Sequence, residues 1–191
     1  MKKPDALKME LAKIFLTWLL ACISKRYAAQ KRSERLIRDK HRQYQIMNDL
    51  GRKTHALRVI ILRTENNGGT LRTDTPLFVR ALDEVNLDDE APNRFDTWGI
   101  PRQIDASYVD MLWQVCESPD FAIVKTNKLK KGVLRSVYEA DKVAFSAIGK
   151  LKHTAHHIYY LSINYADGNT LADSERMLIL DSIALLKDLL K

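Results

Sequence analysis

Cysteine is scarce in this chain: of 191 residues only Cys22 and Cys116 are thiols, and they lie in different segments. With no Cys-x-x-Cys pair, neither a zinc cluster nor a dithiol redox site is suggested, and two free thiols in a reducing compartment are the plain reading. Glycine (7) and proline (5) are also few, which excludes low-complexity and collagen-like classes. Disorder is not expected either, because 46% of the residues are hydrophobic and 29% charged. The chain lacks a Gly-x-Ser-x-Gly elbow, a P-loop and a Rossmann glycine set, so the common hydrolase and nucleotide-binding signatures are missing. Carboxylate pairs such as Asp83-Glu84 and Asp88-Asp89 could in principle work as acid and base, but that chemistry needs buried, perturbed groups, and loop acids are usually solvated. No catalytic residue is assigned, and no cofactor is implied.

What is present is uneven charge. Residues 1–53 hold 14 Lys/Arg against five acids, a net of +9, and the other 138 residues carry −2. The basicity therefore belongs to an N-terminal arm, residues 1–50, and a second domain is expected over 51–191.

Within the arm, Ile14 to Ile23 is apolar on every side of a helix. Ten residues at about 1.5 Å each span roughly 15 Å, half the thickness of a bilayer's hydrocarbon core. Several homes for this run stay open. One is burial in protein, against partner subunits or the chain's own domain, with Phe15, Trp18, Leu19, Leu20 and Ile23 as assembly contacts. A second is a short membrane anchor, with Trp18 and Lys25-Arg26 at the interface and the domain on the cytoplasmic face. The others are a surface-lying helix or a secretory signal; Leu19-Leu20-Ala21-Cys22 has the form of a lipid-attachment box, but Asp5 and Glu10 are out of place before one.

From Ser24 to Leu50 there is neither proline nor glycine, so one long helix is expected, stopped by Gly51. Spacings of four and three pick out Ile23, Tyr27, Gln30, Glu34, Ile37, His41, Tyr44 and Asn48, a heptad-like seam with polar interruptions. Lys31-Arg32, Arg35, Arg38, Lys40 and Arg42 wind around this helix and could neutralise phosphates. No base-reading module accompanies them, so a solvated face is favoured over nucleic acid.

Beyond the arm, Leu57–Thr64 and Leu77–Val85 read as strands, and Asn66-Asn67-Gly68-Gly69 between them is a turn signal. Asp88 to Pro101 is expected to be a loop. Asp105 can cap a helix over 106–117 with Tyr108, Met111, Leu112 and Val115 on one face. A short strand over 121–126 follows, and 133–148 is ambiguous between helix and strand. The clearest late strand, 155–165, puts Ile158, Tyr160, Ser162 and Asn164 on one face and Tyr159, Leu161, Ile163 and Tyr165 on the other. Thr170 with Asp173 has the form of a capping pair for a last helix with Leu178, Ile179, Ile183, Leu186 and Leu190 as its stripe. Runs of strands between helices argue for an antiparallel α+β sheet.

This order, with Arg58-Val59-Ile60-Ile61-Leu62-Arg63-Thr64-Glu65-Asn66-Asn67-Gly68-Gly69 and then Pro76-Leu77-Phe78, resembles the GAF/PAS superfamily. More narrowly, it resembles small GAF-like proteins of bacteria and bacteriophages that often follow a hydrophobic N-terminal helix. In those relatives a histidine frequently precedes Asn-Gly-Gly; here the residue is Asn66. The resemblance covers about residues 40–190. It implies an antiparallel GAF/PAS-like sheet with flanking helices, preceded by the helical arm. It also implies a domain that binds small molecules or scaffolds partners and is usually not catalytic.

Among candidate sites, Trp98, Trp113 and Tyr108, with Phe95, are placed to line an apolar pocket, and core packing is the plainer alternative. Asn67 and the glycines after it offer backbone N–H groups to an anion, though a tight turn explains them as well. His153, His156 and His157 lack a cysteine or paired acid nearby, so no metal is assigned. The expected function is a non-catalytic assembly protein, in its most concrete form a bacteriophage tail or baseplate component, oligomeric and located in a virion or the cytoplasm. The alternatives are a membrane-anchored small-molecule sensor and a nucleic-acid binder.

Overall fold

The chain's long N-terminal helix follows from an uninterrupted stretch of helix formers: no proline or glycine occurs between Asp5 and Leu50. In the computed structural model, which describes residues 4–66, 76–88, 99–168 and 170–190, helix α1 runs from Pro4 to Lys53. Two compact units are distinguished, Met1–Arg42 and Gln43–Lys191.

The first unit is the body of α1. Its surface is held by local bonds of the kind helices make at spacings of three and four. Thr17 Oγ1 donates to Lys13 O at 2.8 Å, and Gln30 Nε2 donates to Glu34 Oε1 at 3.1 Å. Phe15, Trp18, Leu19, Leu20 and Ile23 are exposed on it, as are Tyr27, Leu36 and Ile37. Among the described residues, no helix is long and apolar enough to cross a membrane.

In the second unit the last turns of α1 are buried. Met47 and Leu50 enter the core, and Gln43 Nε2 donates to Asp83 Oδ2 at 2.7 Å. The last turns of α1, from Gln43 on, thus belong to the second unit. Gly51 does not stop the helix, which continues to Lys53. The stop is made by His55, which adopts a left-handed φ of 53°, while Thr54 N and Ala56 N bond back to Leu50 O and Gly51 O. Gly51 serves close packing instead: a Cβ there would lie 2.1 Å from Leu87 Cδ1, which would have to shift.

Strands β1 (Arg58–Glu65), β2 (Phe78–Asn86), β3 (Arg102–Gln103), β4 (Ala122–Lys125), β5 (Phe145–His153) and β6 (His157–Tyr165) form one antiparallel sheet among the described residues, in the order β3-β2-β1-β6-β5-β4. Helix α2 (Ala106–Glu117) is capped as expected, Asp105 Oδ1 accepting from Tyr108 N at 3.0 Å. The ambiguous segment 133–148 holds both structures: α3 (Val133–Ala140), then a turn with Lys142 at φ 56°, then β5. The last helix, α4 (Asp173–Leu189), is not capped by Thr170; Ala172 N donates to Glu175 Oε2 at 2.8 Å.

Two cores sit on the two faces of the sheet. On one, the end of α1 and α4 bury Met47, Leu50, Ile179, Ile183 and Leu186 against Val59, Ile61, Ala147, Leu161 and Ile163. Gly149 lets α4 approach, since a Cβ there would meet Ile183 Cδ1 at 2.3 Å. On the other, α2 and α3 bury Tyr108, Met111, Leu112, Val115, Leu134 and Tyr138 against Ile60, Leu62, Ile148 and Tyr160. Each fully buried aliphatic or aromatic side chain stabilises the fold by roughly 1.5–3 kcal/mol relative to exposure.

Candidate functional site

The face under α2 and α3 is apolar at one end and polar at the other. Strand alternation dictates this: Arg58, Ile60, Leu62 and Thr64 share a face of β1, as do Tyr160, Ser162 and Asn164 of β6 and Ser146 and Ile148 of β5. The register brings Arg58 opposite Asn164, and Asn164 opposite Ser146. All three are buried, as are Ser162 and, from the end of α3, Asp141.

The polar end is a connected network. Ser146 Oγ and Ser162 Oγ both donate to Asn164 Oδ1, at 2.7 and 2.9 Å. The guanidinium of Arg58, fully buried, is bonded to Asp141 through Nη2 and lies 3.8 Å from Glu84 Oε1 through Nη1. Burial lowers the proton affinity of Arg58, and Glu84 and Tyr138 push it back up. Deeper in the face, Tyr108 Oη and Tyr160 Oη are 2.7 Å apart. Burial raises the pKa of Tyr108, Tyr138 and Tyr160, against which Ser146 and Ser162 pull Tyr138 back down. These phenols are neutral near pH 7 and act as hydrogen-bonding groups.

Between these groups lies a cavity of about 30 Å³ lined by Ile60, Leu62, Tyr108, Met111, Tyr138, Asp141, Ser162 and Asn164, among others. That volume accepts one or two waters or a guest of a few atoms. The arrangement offers donors and acceptors to such a guest. It does not assemble a nucleophile with a base, since both serines donate to an asparagine.

Of the residues expected to bind ligand, Tyr108 lines this cavity. Trp113 does not: it is 65% exposed, because position 113 lies about 140° around α2 from Tyr108, whose side of the helix is buried. Trp98, Phe95 and Asn67 lie outside the described residues, as does the Asn67-Gly68-Gly69 turn. His153 ends β5 and His157 begins β6, and no cluster able to hold a metal ion occurs among the described residues. Arg58, Tyr138, Asp141 and Ser146 were not anticipated. Their signal was Ser162 and Asn164 at every second position of an otherwise apolar strand, which called for buried partners across the sheet.

No protein-family model matches the chain, and no curated protein matches its sequence. Solved structures do match. A far-red cyanobacteriochrome photoreceptor is similar with a TM-score of 0.57 at 14% identity, over 95% of this chain and 96% of its own. The phycoerythrobilin-bound GAF domain of a cyanobacterial phytochrome gives 0.52 at 12% identity, over 83% and 93%. A GAF domain/HD domain protein from Geobacter sulfurreducens gives 0.51 at 10%, over 75% and 86%. The fold of this chain is GAF-like: an antiparallel α+β sheet with flanking helices and a long N-terminal helix. At such identities the likeness concerns the fold and carries no ligand or activity with it.

Proposed function

We propose that the chain is a non-catalytic GAF-like module that works by association, its N-terminal helix packing on helices of neighbouring subunits. The observation that carries this reading is that Phe15, Leu16, Trp18, Leu20 and Ile23 are each more than half exposed on one helix. Side chains of this size left in water forgo roughly 1.5–3 kcal/mol each, so a partner surface is favoured. Leu16, Leu20, Ile23 and Tyr27 follow the four-and-three spacing that continues to Ile37, which suits a helical partner. The similar structures lend no support to a virion version of this role.

The test uses the full chain. Replacing Phe15, Leu19 and Leu20 with Ser should shift the protein from an assembled species to a smaller one on sizing chromatography without detergent, with thermal stability kept. A wild-type chain that is already monomeric at micromolar concentration refutes association. Sedimentation with lipid vesicles, lost in the triple variant, would instead make the helix a membrane contact.

A second reading, a small-molecule sensor, is favoured by the small cavity under α2 and α3, which Asp141, Ser162 and Asn164 line in part. A bilin of the kind held by the phytochrome domain does not fit it: drug-sized ligands occupy pockets of roughly 300–1,000 Å³, an order of magnitude above the volume here. The guest would be a few atoms in size and would meet Asp141, Ser162, Asn164 and the tyrosine hydroxyls among the lining residues.

A further inference from the structure

At the far end of β1 from Arg58, two arginines face each other across the sheet. Arg63 of β1 and Arg80 of β2 are register partners, so their side chains leave the same face side by side. Like charges placed directly opposite are unfavourable and need an anion between them. Among the described residues that anion is one carboxylate. Glu65 Oε2 bonds to Arg63 Nη2, and Glu65 Oε1 lies 3.9 Å from Arg80 Nε. His157, the register partner of Glu65 on β6, puts Nε2 3.7 Å from the same Oε2. The carboxylate is thus shared by three groups. The Nε atoms of Arg63 and Arg80 are both buried without a hydrogen-bond partner, while the side chains stay partly exposed, at 18% and 33%.

We propose that this corner of the sheet binds a small tetrahedral oxyanion of the phosphate class, held by Arg63 and Arg80 with His157 at its rim. The two guanidiniums supply a surplus positive charge and N–H donors that lack acceptors, and a tetrahedral oxyanion presents several acceptor oxygens to adjacent forks. A single planar carboxylate reaches one fork well and the other poorly, which is the geometry seen at Glu65. The site is separate from the cavity under α2 and α3, and it shares no residue with the helix surface on which the association reading rests.

The experiment titrates the full chain with inorganic phosphate at constant ionic strength, following the His157 imidazole resonances by NMR, with acetate and a small phosphomonoester such as glycerol phosphate as parallel arms. A saturable shift with phosphate or with the phosphomonoester, and a much weaker one with acetate, is expected; the stronger of the first two identifies the free anion or the ester as the better fit. Arg80→Gln should weaken binding by about tenfold or more, as losing a charge-assisted bond does, and Arg80→Lys should retain part of it. Glu65→Gln should tighten binding several-fold by removing the competing carboxylate. A purely structural ion cluster predicts no phosphate response in any variant. The proposal is overturned by a response equal to that of acetate, by one that persists in Arg63→Gln/Arg80→Gln protein with its fold intact, or by weaker binding in Glu65→Gln.

Discussion

On β1, Val59 and Ile61 turn toward the end of α1 and α4, while their neighbours Arg58 and Ile60 turn toward α2 and α3. The same alternation runs through β6, where Leu161 and Ile163 go one way and Ser162 and Asn164 the other. One face is thus packed mainly with apolar side chains, with the buried Gln43–Asp83 bond beside them, and the other contains a buried arginine, two acids, two serine hydroxyls and an amide. Folding alone does not require the second arrangement, because replacing a buried ion pair with well-packed apolar residues is often neutral or stabilising. The other face, packed mainly with apolar side chains, is where stability is stored.

The sharpest way to break that contrast is at Arg58. Arg58→Ala leaves Asp141 and Glu84 buried without their cation and should destabilise by about 3–5 kcal/mol in urea unfolding. The combination Arg58→Met, Glu84→Leu and Asp141→Asn should recover most of that loss. If the combined variant is as unstable as Arg58→Ala, the network is a folding requirement and the contrast fails. On the apolar face, Ile183→Ala opens a cavity beside Gly149 and should cost about 2–5 kcal/mol, with nothing to recover it but a larger apolar residue.

Alternation is also why one face was legible in the sequence and the other only in part. The period of two over 155–165 put Leu161 and Ile163 on one face, and the period of the last helix gave the stripe Ile179, Ile183 and Leu186; in the structure the two form one core. The same period put Ser162 and Asn164 together on the opposite face, but not their partners. Asp141 and Ser146 lie in 133–148, where an eight-residue helix, a turn through Lys142 at positive φ and the start of β5 succeed one another too quickly for either period to show. Arg58 lies near the start of a run of apolar residues that reads as a strand, and nothing local marks its ion pairs, since burial of a guanidinium depends on acids brought from residues 84 and 141. Gly51 was misleading in a similar way: it is a close-packing glycine facing Leu87, and the helix stop is His55.

Alkaline pH sharpens the comparison from the other side. Tyr165 stacks on Phe145 at 4.6 Å in the apolar core, and burial pushes its pKa up to about 12, against the pull of Thr54. A phenol whose folded pKa exceeds its unfolded value of about 10 contributes stability that is complete below pH 10 and is lost as pH rises toward 12. Two units correspond to roughly 2–3 kcal/mol. Unfolding followed by circular dichroism should therefore steepen over that window, and Tyr165→Phe should flatten it in part, the remainder belonging to Tyr108, Tyr138 and Tyr160 on the other face. An unchanged profile in Tyr165→Phe would show that the phenol ionises without unfolding.

A smaller effect is expected where the cover of the polar face is pinned. Asp105 accepts from Tyr108 N and Ser107 Oγ through one oxygen and from Val133 N, at 2.8 Å, through the other, so one carboxylate ties the starts of α2 and α3 together. Burial opposes its charge, but Ser107 and the amides of Val133 and Tyr108 hold its pKa below the usual carboxylate range. That stability is present above the unfolded pKa and is lost as pH falls through the folded one. Asp105→Ala should cost about 0.5–2 kcal/mol and Asp105→Asn less, as caps generally do. If α2 and α3 cover a functional cavity, hydrogen exchange in both helices should rise together in Asp105→Ala. A rise confined to α2 would mean that the bond to Val133 carries little.

The smallest effect is expected at Trp113, which sequence reasoning had placed beside Tyr108 and which instead stands 65% exposed on the outer side of α2. An aromatic so exposed contributes little burial, and alanine is the better helix former, so the loss of side-chain contact and the gain in propensity nearly cancel. Trp113→Ala should change stability by no more than about 0.5 kcal/mol, the usual range for surface positions. It should also leave the hydrogen exchange of the polar network untouched, because no bond links Trp113 to Arg58, Asp141 or Asn164 among the described residues. Fluorescence gives an independent check, since an indole in this position should be readily quenched by iodide. A loss of several kcal/mol, or an indole shielded from iodide, would mean that something packs on the outside of α2. The covered face of the helix would then extend around to Trp113, and the division between a sealed inner side and a bare outer side would have to be redrawn.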